Sequence, residues 1–138
     1  MWQHEHSTDV DVAPAAVWAQ YANIDTWPTW NIGMLKVELA GPFSTGTAGQ
    51  VTSQGQPPAP FTLSDVTAGE GFTIDVQLTD ELVSRSDCRV RALPGGGSRV
   101  THSVEFSGAG SEQMGAAHGE ALAANIAAGV QALVKAAQ

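Results

Sequence analysis

Four histidines and one cysteine are the side chains of this 138-residue chain best suited to moving protons or holding a metal. His4 and His6 lie in a stretch where Trp2, His4, His6, Thr8, Val10 and Val12 alternate with Gln3, Glu5, Ser7, Asp9 and Asp11. The second set reads as a solvated strand face, which assigns both histidines to the inner one. His102 alternates onto an inner face with Val100, Val104 and Phe106, and His118 stands four residues before Leu122 on a helical stripe. All four imidazoles therefore point inward. Histidine titrates closest to neutral pH, so inward imidazoles suggest general acid and base work on a ketone or enol. The competing reading makes them hydrogen-bonded members of a core or pocket wall. His4-x-His6 with His102 also offers imidazoles to zinc or copper. Glu5 faces the wrong way, however, and no inward carboxylate orients the set, so no metal and no cofactor are expected.

Other reactive types carry less. Cys88 has no helix N-terminus or inward cation beside it to stabilise a thiolate, and reads as a small buried apolar group. Ser84 and Ser86 lack a partnering base and acid, so no hydrolase nucleophile is expected. Gly95-Gly96-Gly97 lies between two strands with no helix following, which makes it a hairpin turn instead of a phosphate loop. Cys88 shares its face with Leu82, Ser84, Ser86, Val90 and Ala92, a row of small and partly polar side chains. With Gly115, Ala116 and Gly119 also small, a cavity is expected between this strand and a covering helix. Trp27, Trp30 and Met34 are expected at its mouth or walls, together with Phe61, Phe72 and Met114, since aromatics suit flat apolar ligands. Asn31, Ser86, Cys88, His102 and His118 complete the expected lining.

These residues need elements to hold them. The longest is a helix over Ser111 to Ala136, where Met114, Leu122, Ile126, Val130 and Leu133 recur at helical steps. Ser111 is suited to cap it, Glu112 to its first turn and Lys135 to its last. Before it, Trp2 to Val12 is a strand, Pro14 opens a helix of about two turns through Val17, Trp18 and Tyr21, and Asp25 to Asn31 is a turn or short helix. Six further strands are expected at Met34 to Ala40, Gly49 to Ser53, Pro60 to Thr67, Gly71 to Thr79, Leu82 to Leu93 and Arg99 to Ser107. Leu35, Val37 and Leu39 alternate inward, as do Phe72, Ile74, Val76 and Leu78. The connections carry turn chemistry, Gly41-Pro42, Gly55 with Pro57-Pro58, and Gly69-Glu70-Gly71 among them, and most are of hairpin length. Short connections imply an antiparallel sheet.

Composition narrows the function. Hydrophobic residues make up 43% of the chain, enough for a packed core. Six basic against fourteen acidic residues leave a net charge of −8, which repels nucleic acid phosphates and anionic lipid. No run approaches the ~20 apolar residues of a membrane span. A lone cysteine and no signal-like start suggest the cytoplasm.

The run Val10-Asp11-Val12-Ala13-Pro14-Ala15-Ala16-Val17-Trp18, then Trp27-Pro28-Thr29-Trp30-Asn31, Gly41-Pro42-Phe43 with Gly46-Thr47, and Pro94 to Thr101 resemble the polyketide cyclase/dehydrase group of the START-like, or SRPBCC, superfamily. The resemblance covers Trp2 to about Ala136. It implies one domain over 1–138 with an α+β helix-grip fold: a curved antiparallel seven-stranded sheet wrapped around a long C-terminal helix, with two short helices after the first strand. It also implies an apolar ligand in the cavity between sheet and C-terminal helix. At Asn31 the family often carries Asp, so a carboxylate role found there elsewhere is absent from this chain. A helix-grip sheet sets the first strand antiparallel to the last. Residues near Thr8 would then oppose His102, with His6 diagonally across, which makes His102 and His6 the expected catalytic pair. The resulting expectation is a small hydrophobic ligand-binding protein, in its enzymatic form a polyketide cyclase or dehydratase. The alternative is a non-catalytic lipid or small-molecule carrier, sensor or interaction module. Its partners would be a small apolar molecule and, at most, a second copy in a homodimer, with no nucleic acid and no membrane span.

Overall fold

A computed structural model gives the structure of the chain, and it describes residues 1–31 and 34–138. Strand β1 (Trp2–Val10) leads into helix α1 (Pro14–Ala22), a 3-10 turn (Ile24–Thr26) and the single-turn helix α2 (Trp27–Trp30). Six strands follow: β2 (Met34–Leu39), β3 (Ala48–Ser53), β4 (Ala59–Thr67), β5 (Gly71–Gln77), β6 (Leu82–Ala92) and β7 (Ser98–Gly108). Helix α3 (Ser111–Ala137) closes the chain. All seven strands form one antiparallel sheet in the order β1-β7-β6-β5-β4-β3-β2. Only the β1–β7 pairing joins distant parts of the sequence; every other neighbour is a hairpin, as the short Gly- and Pro-rich connections dictate. This is the helix-grip plan: α3 lies on β1 and β7 and touches α1 and α2.

Period-two alternation decides the two faces. Phe72, Cys88, Val90, Val100, His102, Val104 and Phe106 are buried on the helix side. The other side is polar and paired: Arg85 with Asp75, Arg99 with Asp9, and Arg89 with both Asp87 and Asp65. The core centres on aromatic rings. Trp27 stacks on Phe72 with centroids 4.9 Å apart and donates Nε1–H to the Tyr21 carbonyl at 3.0 Å, which fixes α2 over the sheet. Pro14 sits at the start of α1, where its missing N–H costs nothing, and Val17 and Tyr21, four residues apart, are the helix's buried stripe.

Several expectations are corrected. Ser111 does not cap α3; Gly110 holds the N-cap position with φ +89, and Ser111 is the buried first residue of the helix. Glu112 does stand in the first turn, as expected, and also accepts from the N-terminal ammonium of Met1 at 2.9 Å. Leu35 is 61% exposed because the β2–β3 register shifts between Met34 and Lys36, an irregularity that breaks the alternation. Leu78 is exposed too, lying one residue past the end of β5. Gly115 and Gly119 do not leave an empty space. The indole of Trp2 fills it: a Cβ on Gly115 would overlap that ring, and one on Gly119 would stand 3.0 Å from Trp2 Cζ2. Trp2 in turn stacks on Phe106, so the first half of α3 is seated directly on β1 and β7.

Candidate functional site

The space between the layers begins where the Trp2 seat ends. A cavity of about 610 Å³ lies over β3 to β6, floored by Phe72, Ile74, Val76 and the small row Ser84, Ser86 and Cys88, and walled by Trp27, Trp30 and Met34. Its mouth is framed by Pro57 and Pro58 of the β3–β4 turn and by Gln77 and Leu78. A second cavity of about 210 Å³ lies between His102 and Val104 of the sheet and Leu122, Asn125, Ile126 and Gly129 of α3. Both are lined by Trp30, Asn31, Ser86 and Cys88, so these four residues form the wall between an apolar chamber and a more polar one. The cavity expected between sheet and C-terminal helix is therefore split. Only the smaller chamber meets α3; the larger is covered by α2, because α3 is held close to β1 and β7 by its glycines.

Register brings the chemistry into one row. Phe72 opposes Cys88, Cys88 opposes His102, and His102 opposes His6, each across one strand pair. His6 thus lies directly opposite His102, where the sequence placed it diagonally; Thr8 opposes Val100 instead. His4 opposes Val104, two residues further along β1. Among the described residues, no three His, Cys, Asp or Glu side chains converge as metal ligands would.

His102 is buried, and its Nε2 lies 2.8 Å from the Tyr21 hydroxyl. Burial pushes the imidazole down to about 4, and the neighbouring His6 acts in the same direction, so His102 is neutral at physiological pH. Burial likewise raises the Tyr21 phenol far above its ordinary range, and the ring sits among Trp30, Phe72 and His102. The Cys88 thiol is also raised by burial, with the Asp87 carboxylate adding to it, which makes it an unreactive thiol on the cavity floor.

Asn31 ends α2. Its backbone N–H and its Nδ2 both donate to the Trp27 carbonyl at 2.9 Å, so the amide closes the helix turn that carries the two tryptophans. An aspartate could accept here but not donate.

Of the residues singled out by sequence, Trp27, Trp30, Asn31, Met34, Phe72, Ser86 and Cys88 line the larger chamber, and His102 lines the smaller. Three do not. Phe61 is 3% exposed but belongs to the core beneath Gly49, outside both chambers. Met114 is half-buried in the part of α3 beside the Trp2 seat and lines neither chamber. His118 is exposed: the helix there meets the sheet along Ser111, Gly115 and Gly119, and His118 falls beside that line. Sequence reading missed Tyr21 as the partner of His102. A tyrosine on the buried stripe of α1 was the available signal, because a buried hydroxyl needs a hydrogen-bond partner.

No curated protein matches the chain in sequence. Its fold is shared with solved structures. Ara h 8.0201 superposes with a TM-score of 0.71 at 15% identity, covering 97% of this chain and 98% of that one. Norcoclaurine synthase from Thalictrum flavum, solved with dopamine and hydroxybenzaldehyde, superposes at 0.73 with 15% identity, over 97% of this chain and 84% of that one. The hypothetical protein jhp0584 from Helicobacter pylori reaches 0.81 at 10% identity, over 99% and 88%. At such identities the likeness is one of fold. The family model described as "Polyketide cyclase / dehydrase and lipid transport" matches residues 1–138, the full length given, and with the helix-grip architecture it shows that the chain belongs to this family of the SRPBCC superfamily.

Proposed function

We propose that the chain binds a small, flat, apolar molecule, aromatic or polyketide-like, in the two adjoining chambers. The observation that carries this reading is the 610 Å³ chamber walled by Trp27, Trp30 and Phe72, a volume within the usual range for small-molecule sites. Its lining is apolar with few polar groups, and the buried His102 stands beside it in the smaller chamber, the combination expected of a ligand pocket. The norcoclaurine synthase neighbour holds dopamine and hydroxybenzaldehyde, which supports an aromatic ring as part of the ligand for this fold. A native mass spectrum of the purified chain, followed by solvent extraction, tests the reading. A mass increment that survives a chelator and extracts as an organic compound is expected; an increment lost to the chelator would overturn it.

A second reading, cyclisation or dehydration of a polyketone, is favoured by the neutral state of His102. The chambers would hold the folded chain in a reactive conformation, and the neutral imidazole would polarise a ketone of it as negative charge develops on the oxygen. His102→Ala would then abolish turnover and leave binding largely intact. Retained turnover in that variant would return the chain to the class of non-catalytic carriers and sensors.

A further inference from the structure

Given that the chambers bind one ligand, the surroundings of His102 specify a group which that ligand carries. The side chain is 7% exposed and lines the smaller chamber. Its Nε2 is taken by Tyr21, while Nδ1 has no hydrogen-bond partner among the described residues. Every fully buried side-chain nitrogen and oxygen among those residues is hydrogen-bonded, so an unpartnered Nδ1 must open onto free space, which here is the chamber. A buried ring nitrogen left this way is costly unless water or a ligand satisfies it.

Which role Nδ1 plays follows from Tyr21. The phenol has one hydrogen and two neighbours: His102 Nε2 at 2.8 Å and the Arg89 carbonyl at 3.5 Å. The longer distance is at the limit of a hydrogen bond, whereas the shorter is ordinary for O–H···N, so the hydrogen is assigned to Nε2. A neutral imidazole that accepts at Nε2 carries its proton on Nδ1. His102 therefore faces the chamber with one N–H donor, rigidly aimed by a strand on one side and a fully buried tyrosine on the other, beside the Asn31 and Asn125 amides and the Ser86 hydroxyl.

We infer that His102 Nδ1–H recognises a ketone or hydroxyl oxygen at one end of an otherwise apolar ligand, with Tyr21 as the positioning residue that fixes the tautomer. The inference rests on the ligand-binding reading above and deepens it. The apolar body occupies the larger chamber against Trp27, Phe72 and Ile74, and the oxygen passes the shared wall of Trp30, Ser86 and Cys88 to reach the donor. A molecule without that oxygen would fill the apolar chamber and leave the donor unmet.

Fluorenone and fluorene share one tricyclic outline and differ by a carbonyl oxygen, so equilibrium dialysis of the chain against each isolates this contact. The ratio of their dissociation constants, compared between wild type and His102→Phe, cancels the difference in their hydration. The ratio should shift against fluorenone by about fivefold to tenfold in His102→Phe, with fluorene affinity changed less than about twofold. Tyr21→Phe should shift it in the same direction, and nitrogen-15 spectra of the histidine rings should show His102 as the Nδ1–H tautomer in wild type and as a mixture in that variant. A purely structural tyrosine would lower stability without moving the tautomer. Both probes bound with an unaltered ratio in His102→Phe, or a wild-type spectrum showing Nε2–H, would overturn the donor assignment alone. Failure of the wild-type chain to bind either probe would instead sink the ligand reading beneath it. Should His102→Phe lose fluorene as well, the wild-type spectrum and Tyr21→Phe decide.

Discussion

Acid should weaken this fold through His102 in a way that can be separated from every other titration. The imidazole falls from an ordinary 6.5 to about 4, chiefly by burial. Between those values the unfolded chain binds a proton that the folded chain refuses, so stability is complete above the upper value and declines as pH falls towards the lower. At about pH 5 the unfolded ring is almost fully charged and the buried one only about one-tenth charged, which costs about 2 kcal/mol relative to about pH 7.5. Below about pH 4 the loss levels off near 3 kcal/mol. Urea unfolding of wild type and His102→Gln at both pH values measures it. The glutamine variant keeps the surface carboxylates and lacks the imidazole, so it should lose about 2 kcal/mol less on acidification. Equal losses in the two proteins would refute the claim that His102 is buried and neutral.

Three further outcomes follow from neighbouring geometry. Gly115→Ala drives a Cβ into the Trp2 indole and forces α3 off its seat, which should cost about 1–3 kcal/mol, read as a lowered urea midpoint. Asn31→Asp removes the Nδ2 donor and sets a carboxylate against the Trp27 carbonyl; a loss of about 1–2 kcal/mol is expected at neutral pH, easing as acid protonates the new group. Cys88 should react with a disulfide reagent such as dithionitrobenzoate orders of magnitude more slowly in the native chain than in urea, because its thiol is buried and raised.

What was legible in the sequence was whatever depends on period and punctuation. Alternation in Trp2–Val10 and Ser98–Gly108 put His6 and His102 on one face, and helical spacing with Lys135 near its end located α3 to within one residue. Hairpin-length turns made the meander unambiguous. What could not be read depends on contacts across the fold. Nothing local to Gly115 and Gly119 says whether they border a void or receive Trp2, and that difference moves the larger chamber from α3 to α2. The irregularity between Met34 and Lys36 breaks the alternation by a single residue, which turns Leu35 outward. Tyr21 on α1 and His102 on β7 are 81 residues apart, and their hydrogen bond exists only once the helix has packed across the sheet.

The tryptophans themselves provide the most direct test of the central claim that ligand enters these chambers. Trp27 and Trp30 line the larger one, while Trp2 is packed between Phe106 and the glycines of α3 and lines neither chamber. In a nitrogen-15 spectrum of the chain titrated with fluorenone, the indole N–H signals of Trp27 and Trp30 should shift saturably with the backbone signals of Ser86 and Cys88, and that of Trp2 should stay in place. Shifts confined to Trp2, or spread evenly over all four indoles, would contradict it.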